Sequence, residues 1–273
     1  MKVSIIVTVY KDIVALDLVV ESLKLQIYKD FELIIAEDAQ NDEMKEYVDS
    51  IVGLDVKHTF HEDNGVQKPR SQNNAILKSS GDYLIFIDGD CVLSPYFIDS
   101  HVYLSEKSCV LSGRRFNLNE QKAKLLREKE VSIKSFVKNF WFHNFSQIFD
   151  RESRFEQGIY INPRGLFYKL FLKNRKRHVK IIGCNFSCHK DVMLKLNGFD
   201  EGYGQSGISD DMDLDWRFEA LGLKVKSCKN AANMFHLFHE SHPRRVFDSE
   251  LQRYHDNKNS LKYVCEIGLS NHK

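Results

Sequence analysis

Two carboxylates separated by a single glycine close an apolar run at Ile85-Phe86-Ile87-Asp88-Gly89-Asp90-Cys91. Where a buried strand ends, such acids emerge at the sheet edge at which α/β proteins take their ligands. The glycine lets the backbone turn sharply enough for both to converge on one hard cation, which would bridge phosphate oxygens. The same residues also form an ordinary strand-to-turn signal, so their meaning depends on what else the chain supplies.

Three further stretches supply candidates. Leu33-Ile34-Ile35-Ala36 runs into Glu37-Asp38-Ala39-Gln40-Asn41-Asp42. Consecutive acids after a buried strand need partners, either from a ligand or from the start of the next helix, for which Asn41 or Asp42 is the candidate cap. Asp38, nearer the strand end, could accept from a base or ribose. Downstream, Gly198, Gly202 and Gly204 precede Asp210-Asp211-Met212-Asp213-Leu214-Asp215-Trp216-Arg217, four acids in six residues. Their mutual repulsion is only partly relieved by a helix macrodipole, and an acid whose pKa is raised can serve as a general base. Plain charge compensation at a helix start is the alternative. Finally, Met234-Phe235-His236-Leu237-Phe238-His239-Glu240-Ser241-His242 places three histidines in a strand-like run. On a strand His236 and His239 point to opposite sides, so only one would reach a site, and an internally bonded core histidine is the alternative for each.

Other chemistries are disfavoured. Cys184, Cys188 and His189 lack a fourth ligand and the paired short spacing of a zinc site, and read as buried thiols. No GxGxxG follows the first strand and no Walker lysine loop occurs, which argues against a dinucleotide dehydrogenase and a P-loop enzyme.

The elements that must position these residues follow from periodicity. Val3 to Val9 is a near-continuous β-branched run, the pattern of a strand buried on both faces of a parallel sheet. Ala15, Leu16, Val19, Val20 and Leu23 recur at helical spacing within 13–26, and a second apolar run covers 31–36. This is a βαβ unit. Helix is expected again near 43–52 and over 71–79, ending before Gly81, with strands over 55–60 and 83–87. A further helix is expected over 213–221 and a strand over 224–228.

Residues 114–180 differ in character. No acid occurs between Glu156 and Asp191, while Arg164, Lys169, Lys173, Arg175, Lys176, Arg177 and Lys180 accumulate beside Leu166, Phe167, Leu170, Phe171 and Leu172. The layout reads as one α/β domain with an elaborated insertion: 1–113, the insertion 114–180, a second half 181–245, and a helical tail 246–273.

With 273 residues, 42% of them hydrophobic, the chain can build a sizeable core. Its formal net charge of +1 argues against a nucleic acid partner recognised by overall charge. Six scattered cysteines read as reduced thiols. The N-terminal apolar run ends at Lys11-Asp12 without a cleavage pattern, and no stretch reaches the ~18 apolar residues of a membrane span. A cytoplasmic protein is expected, either free or resting on the inner face of the membrane.

Taken in order, SIIVTVYKD, EDAQND, SQNNAILKSSGDY and FIDGDC resemble the N-terminal half of a family 2 glycosyltransferase of the GT-A fold. The stretch GCNFSCHKDVMLKLNGFDEGYGQSGISDDMDLDWRFEALG, closing with MFHLFH, is similar to the C-terminal part of the galactosyltransferase-like branch. The match covers roughly 1–113 and 181–242. It implies a Rossmann-like, mixed but mainly parallel sheet flanked by helices, and an inverting, metal-dependent enzyme moving a sugar from a nucleotide-sugar donor. UDP is the expected nucleotide, and the expected acceptor is a glycan or lipid-linked hydroxyl in surface polysaccharide or glycoconjugate assembly. By this likeness Thr8, Val9 and Tyr10 line the nucleobase, Asp38 accepts from a uracil-type ring, and Arg70 lies near the diphosphate. Asp88 and Gly89 face the donor and its metal, and Asp90 binds the cation, Mn2+ or Mg2+, with His236 completing its shell. Asp211 matches the general base and Asp210 the acid contacting the acceptor.

The chain departs from the family pattern in three places. Glu37-Asp38-Ala39-Gln40 stands for the usual Asp-Asp-Gly-Ser, Gln72-Asn73-Asn74 for Ala-Arg-Asn, and Asp210-Asp211 for Glu-Asp. Phe136, Phe140, Trp141, Phe142 and Phe145, with Lys134 and Lys138, suit either an anionic membrane surface or a helical hairpin packed on the core. The rival functions are a non-catalytic nucleotide-sugar or glycan-binding module and a nucleotidyltransferase. The second would carry a glycine-rich basic loop after the first strand, where Val9-Tyr10-Lys11-Asp12 has no glycine.

Overall fold

The structure is a computed structural model that describes residues 1–173, 179–205, 208, 210–240 and 246–272. Arg175, Lys176, Arg177 and His242 lie outside the described residues.

Strand β1 (Val3–Val9) is buried along its whole length, as its β-branched run predicts. It is flanked in parallel by β2 (Phe31–Glu37) and β4 (Tyr83–Asp88), with Val9 beside Glu37 and Thr8 beside Asp88. Strand β3 (Val56–Thr59) extends the sheet outside β2, also in parallel. On the other side β8 (Asn185–His189) pairs antiparallel with β4, followed by β6 (Cys109–Ser112) and β9 (Lys224–Ser227), giving a seven-stranded sheet ordered β3-β2-β1-β4-β8-β6-β9. A three-stranded sheet carries β5 (Cys91–Leu93), β10 (Asn233–His236) and β7 (Arg114–Asn117).

Helices cover both faces. Helix α1 (Ile13–Lys24) is capped by Asp12, which accepts from the Ala15 N–H at 2.9 Å. Helix α2 (Asp42–Asp49) is capped by Asn41, one of the two caps considered. Helix α3 (Lys68–Lys78) begins three residues before the predicted boundary, because Pro69 presets its first turn and Asp38 binds the Gln67 N–H ahead of it. Then follow α4 (Phe97–Leu104), α5 (Glu120–Arg127), α6 (Ile133–Lys138), α7 (Phe140–Asn144), α8 (Lys190–Lys195), α9 (Asp210–Ala220) and α10 (Asp248–Asn259). Helix α9 also begins three residues early, taking the acids 210–213 into its first turn, where exposed N–H groups and the macrodipole favour negative charge.

Alternation along the strands divides the core in two. Ile5, Val7, Leu33, Ile35 and Ile85 meet Leu16, Val19 and Leu23 on one face. Ile6, Ile34, Leu84 and Phe86 meet Ala75, Ile76, Leu214 and Phe218 on the other. A third cluster holds Phe116, Phe136, Phe140 and Phe155 of the insertion against Phe235. The insertion therefore splits its aromatics: Phe136 and Phe140 are buried, whereas Trp141, Phe142, Phe145 and Phe149 are exposed. Among residues 166–171 only Tyr168 and Lys169 fall outside the exposed apolar set, with Tyr168 buried and Leu166, Phe167, Leu170 and Phe171 open to solvent.

One buried network joins the layers. The Tyr83 hydroxyl and His101 Nδ1 both lie 2.7 Å from Ser187 Oγ, and His101 Nε2 lies 3.1 Å from Asn185 Oδ1. Asn185 Nδ2 donates to the Arg114 and Ala232 carbonyls, so its Oδ1 must accept and His101 Nε2 must carry the proton. Nδ1 is then an acceptor for Ser187, and His101 is held neutral. Burial pushes its pKa down to about 4.

Candidate active site

The parallel register of β1, β2 and β4 brings Thr8, Val9, Glu37 and Asp88 to one sheet edge, followed directly by Asp38 and Gly89. Gly89 N–H donates to the Thr8 carbonyl at 2.7 Å, pinning the turn to β1. A Cβ at Gly89 would stand 3.0 Å from Val9 Cβ and 3.1 Å from Thr8 O, so close backbone approach explains the glycine. Thr8 Oγ1 is buried and has no hydrogen-bond partner among the described residues. Tyr10 is exposed beyond it, its hydroxyl donating to Asp63 Oδ2 at 3.2 Å, with Lys11 Nζ on the same oxygen at 2.7 Å.

Asp38 is enclosed by internal partners. Its carboxylate accepts from the Gln67 N–H at 3.0 Å and from Ser71 Oγ at 3.2 Å, and pairs with His61 Nε2 at 3.1 Å. The Asp38 hydrogen bond raises the His61 pKa against the effect of burial. Next to it Glu37, fully buried, meets His58 Nε2 at 2.9 Å.

Asp90 leaves the turn at the mouth of β5, whose antiparallel pairing sets Cys91 opposite His236. Strand β10 ends at His236 and the chain turns, so the expectation that only one histidine reaches the site is corrected. His236 Nε2 and His239 Nε2 lie 3.3 and 3.2 Å from the same oxygen, Asp90 Oδ2. The alternation rule fails because it holds only while the strand continues. One donor atom from each of these three residues falls within 4.8 Å of the others. Burial pushes the Asp90 carboxyl up, but the hydrogen bonds from His236 and His239 outweigh it and hold it well below the usual carboxylate range. The bond to Asp90 raises His239 to about 9, with burial opposing. A carboxylate oxygen and two imidazole nitrogens converging in this way fit a first-row divalent cation.

Asp88 stands outside this cluster. Its Oδ1 takes the Lys68 ammonium at 2.8 Å, from the first residue of α3, while Arg70, two residues on, is exposed. Lys68 was not singled out in the sequence, although Lys68-Pro69 ahead of a helical pattern is the available signal. Arg115 was also missed. Its guanidinium lies 3.7 Å from Cys184 Sγ, and although burial disfavours its charge, the surrounding Cys184, Cys91, Asp88 and Asp90 outweigh that and raise its pKa. Nothing local marks it, since only the register of β7 on β10, Arg115 beside Met234, brings it there.

Asp211 is half-buried at the start of α9, and its Oδ2 accepts from the Gly183 N–H at 3.2 Å. Gly183 precedes Cys184, so Asp211 is tied to the segment that meets Arg115. The side chain of Asp210 lies outside the described residues. Asp213 is instead buried and structural: it accepts from Tyr203 Oη at 3.0 Å, Trp216 Nε1 at 3.2 Å and Arg217 Nη1 at 2.9 Å. Arg217 also donates to the carbonyls of Leu196, Gly198 and Tyr263, locking α9 to the loop ahead of it and to the segment that follows α10. The six cysteines are free and buried, as the reading of Cys184 and Cys188 expects.

The sequence matches the family described as glycosyl transferase family 2 over residues 4–177, more than half of the chain, and the N-terminal domain of galactosyltransferase over residues 170–240. It is 25% identical over 185 residues to the GalNAc(5)-diNAcBac-PP-undecaprenol beta-1,3-glucosyltransferase of Campylobacter jejuni, covering 62% of this chain and 60% of that one. It is 24% identical over 211 residues to the glucosyl-dolichyl phosphate glucuronosyltransferase of Haloferax volcanii, covering 76% and 58%. The chain thus spans about 60% of the length of these curated relatives. Among solved structures, S. aureus TarS 1-349 in complex with UDP-GlcNAc aligns with a TM-score of 0.65 at 12% identity over 99% of this chain and 69% of that one. The mannosyltransferase PcManGT from Pyrobaculum calidifontis in complex with GDP-Man and Mn2+ aligns with a TM-score of 0.56 at 12% identity over 89% and 58%. These two likenesses concern the fold.

Proposed function

The chain belongs to glycosyl transferase family 2, and from that premise we propose that it transfers a hexosyl group, with inversion, from a UDP-sugar to a hydroxyl of a glycan or lipid-linked acceptor. The observation that carries the reading is the convergence of Asp90, His236 and His239 at the sheet edge where Thr8 and Asp88 also emerge.

Asp90, His236 and His239 would hold a divalent cation, Mn2+ in preference to Mg2+ because two of the three donors are imidazoles. Bound there, such a cation supplies the positive charge that stabilises the departing diphosphate. Thr8, with its unpartnered hydroxyl, Val9 and Tyr10 line the base and ribose, while Asp38 shapes that wall through α3 and offers the base its remaining lone pairs. Asp88 and Gly89 face the ribose side. Lys68 and Arg115 bring cationic charge toward the phosphates, with Arg70 further out on α3. Asp211 takes the proton from the incoming hydroxyl on the opposite face of the sugar, so one in-line displacement suffices, and Asp210 contacts the acceptor.

Relatives named for undecaprenol- and dolichyl-linked substrates support a lipid-linked acceptor here. No described helix is long and apolar enough to cross a membrane. Exposed Phe142, Phe145 and Phe149 suit contact with the membrane surface on the cytoplasmic side, and Leu166, Phe167, Leu170 and Phe171 beside Lys169 and Lys173 suit an anionic one.

The test is nucleotide release from a panel of UDP- and GDP-sugars with and without Mn2+, in the presence of a prenyl-diphosphate glycan acceptor. Mn2+-dependent release of UDP is expected, and Asp211→Asn should leave donor binding within about twofold while lowering turnover ~10²- to 10⁴-fold. Turnover undiminished in Asp211→Asn, or pyrophosphate release from UTP and a sugar phosphate, would refute the assignment. Donor binding without turnover in the unmodified chain would favour a binding module.

A further inference from the structure

A pocket of about 480 Å³ opens between α6, α7 and the far end of the β5–β10 ladder. Leu25, Pro95, Val137, Phe140, Ile159 and Phe235 form its apolar wall. Ser94 Oγ and Asn233 Oδ1 are sealed beneath the surface, and Asn233 Nδ2 is taken by the Gln157 and Ile159 carbonyls at 2.6 and 3.2 Å, so an occupant meets chiefly carbon. Lys134 and Lys138, one turn apart on α6, are the charged residues of the lining. Both are exposed, and neither has an acidic partner among the described residues.

Exposed apolar residues lead away from the pocket along two stretches of chain. Trp141 lines it and is itself half exposed, and Phe142, Phe145 and Phe149 follow, all open to solvent. Tyr160 also lines it, stacked on Tyr96 with ring centroids 4.6 Å apart, and feels the charge of Arg164. Arg164 is clamped to Asp99 and lies over the Tyr103 ring at 4.4 Å. From there the chain passes directly into Leu166, Phe167, Leu170 and Phe171, exposed around the buried Tyr168.

A neutral apolar ligand would leave the two ammonium groups without a partner, and a small polar anion would leave the walls bare. A hydrocarbon chain headed by phosphate uses both. The exposed rings around the pocket select a chain that resides in a bilayer: with those rings at the membrane surface, the hydrocarbon enters without crossing water, and its phosphate stays at the interface beside the lysines. We infer that this pocket takes the phosphate-proximal hydrocarbon of a membrane-borne acceptor and holds its phosphate on Lys134 and Lys138. The inference rests on the lipid-linked acceptor proposed above and names where its lipid part is held. Asn233, in the pocket lining, and His236 are the two ends of β10, so the pocket lies about 10 Å along the strand from the histidine cluster, a length left for saccharide between the lipid and the reacting hydroxyl.

The test uses the full chain with UDP and Mn2+ in excess, so that the donor edge is filled, and reads binding by calorimetry and tryptophan fluorescence. Farnesyl phosphate, farnesol, inorganic phosphate and dioctanoyl phosphatidylglycerol are titrated separately, each below the concentration at which it aggregates. Farnesyl phosphate is expected to bind and shift the Trp141 emission to the blue, a change that Trp141→Phe abolishes, with farnesol about tenfold weaker and inorganic phosphate about a hundredfold weaker or more. The two-chain lipid, which needs more room, should bind about tenfold more weakly than farnesyl phosphate. Val137→Trp, which fills the pocket, should weaken farnesyl phosphate and farnesol alike by about tenfold. Lys134→Glu with Lys138→Glu, on the exposed side of α6, should weaken farnesyl phosphate about tenfold and farnesol less than about twofold. Absence of farnesyl phosphate binding, equal affinity for farnesol, binding of the two-chain lipid as tight as that of farnesyl phosphate, or no effect of either set of substitutions would overturn the inference. Failure of UDP to bind, or absence of turnover while farnesyl phosphate binds, would instead count against the donor-edge reading and leave the pocket assignment standing.

Discussion

The neutral, saturated state of His101 makes the stability of this fold depend on pH in a range where most buried networks are indifferent. In the unfolded chain the imidazole titrates near 6.5, whereas in the folded chain burial holds it at about 4. Between those values the unfolded state binds a proton that the folded state refuses, so unfolding gains ground as pH falls. The folded-state advantage is complete above pH 6.5 and is lost on descending towards about 4. The loss amounts to about 2 kcal/mol by pH 5 and about 3 kcal/mol once it is complete below pH 4. Urea unfolding at pH 7.5, 6.0, 5.0 and 4.5 measures the total change. His101→Gln, which offers Ser187 and Asn185 an amide but cannot titrate, isolates the part due to this residue. The wild-type free energy should fall by about 2 kcal/mol more than that of His101→Gln between pH 7.5 and 5. The histidine ring protons followed by NMR should show one resonance still neutral at pH 5. Parallel stability curves for the two proteins, or a His101 resonance titrating near 6.5, would refute the reasoning.

Other expectations follow from specific contacts. Arg217→Met leaves Asp213 buried and unpaired, and should cost about 3–5 kcal/mol and lower the melting temperature by roughly 6–15 °C; a drop under about 2 °C in a calorimetric scan would contradict the clamp. Gly113→Ala places a Cβ 2.2 Å from Asn185 Nδ2 in the His101 network, so chemical denaturation should show a loss of about 1–3 kcal/mol, and an unchanged midpoint would mean that Asn185 can yield. Lys68→Met removes the partner of Asp88 and should raise the donor KM about tenfold with little change in kcat, whereas a loss confined to kcat would move Lys68 from donor binding to the chemical step.

The parts of the fold legible in the sequence are those decided locally. The runs of β1, β2 and β4 are apolar on both faces because they are buried on both faces, and their acids emerge at the strand ends as a parallel sheet requires. Boundaries were less legible where a distant side chain sets them. Helix α3 starts early because Asp38, thirty residues upstream, binds the Gln67 N–H. His236 and Asp90 could be nominated from their types and settings, but the approach of His239 depends on β10 ending where it does, which periodicity does not encode. Arg115 and Lys68 reach the site by sheet register and helix start, so neither carries a local pattern. Of the four acids near 210, spacing alone does not separate Asp213, paired with Arg217 inside the core, from Asp211 at its margin.

Strand β8 lies between β4 and β6, and β10 lies between β5 and β7, so the last third of the chain fills gaps left by the first. While the protein is being made, the edge formed by β1, β2 and β4 emerges from the ribosome with one flank of β4 bare, and it stays so until the residues of β8 arrive. The histidines that complete the cluster with Asp90 come later still. A product cut short before residue 185 therefore keeps the ends of β1, β2 and β4 but can form neither the β8 flank nor the cluster of Asp90, His236 and His239.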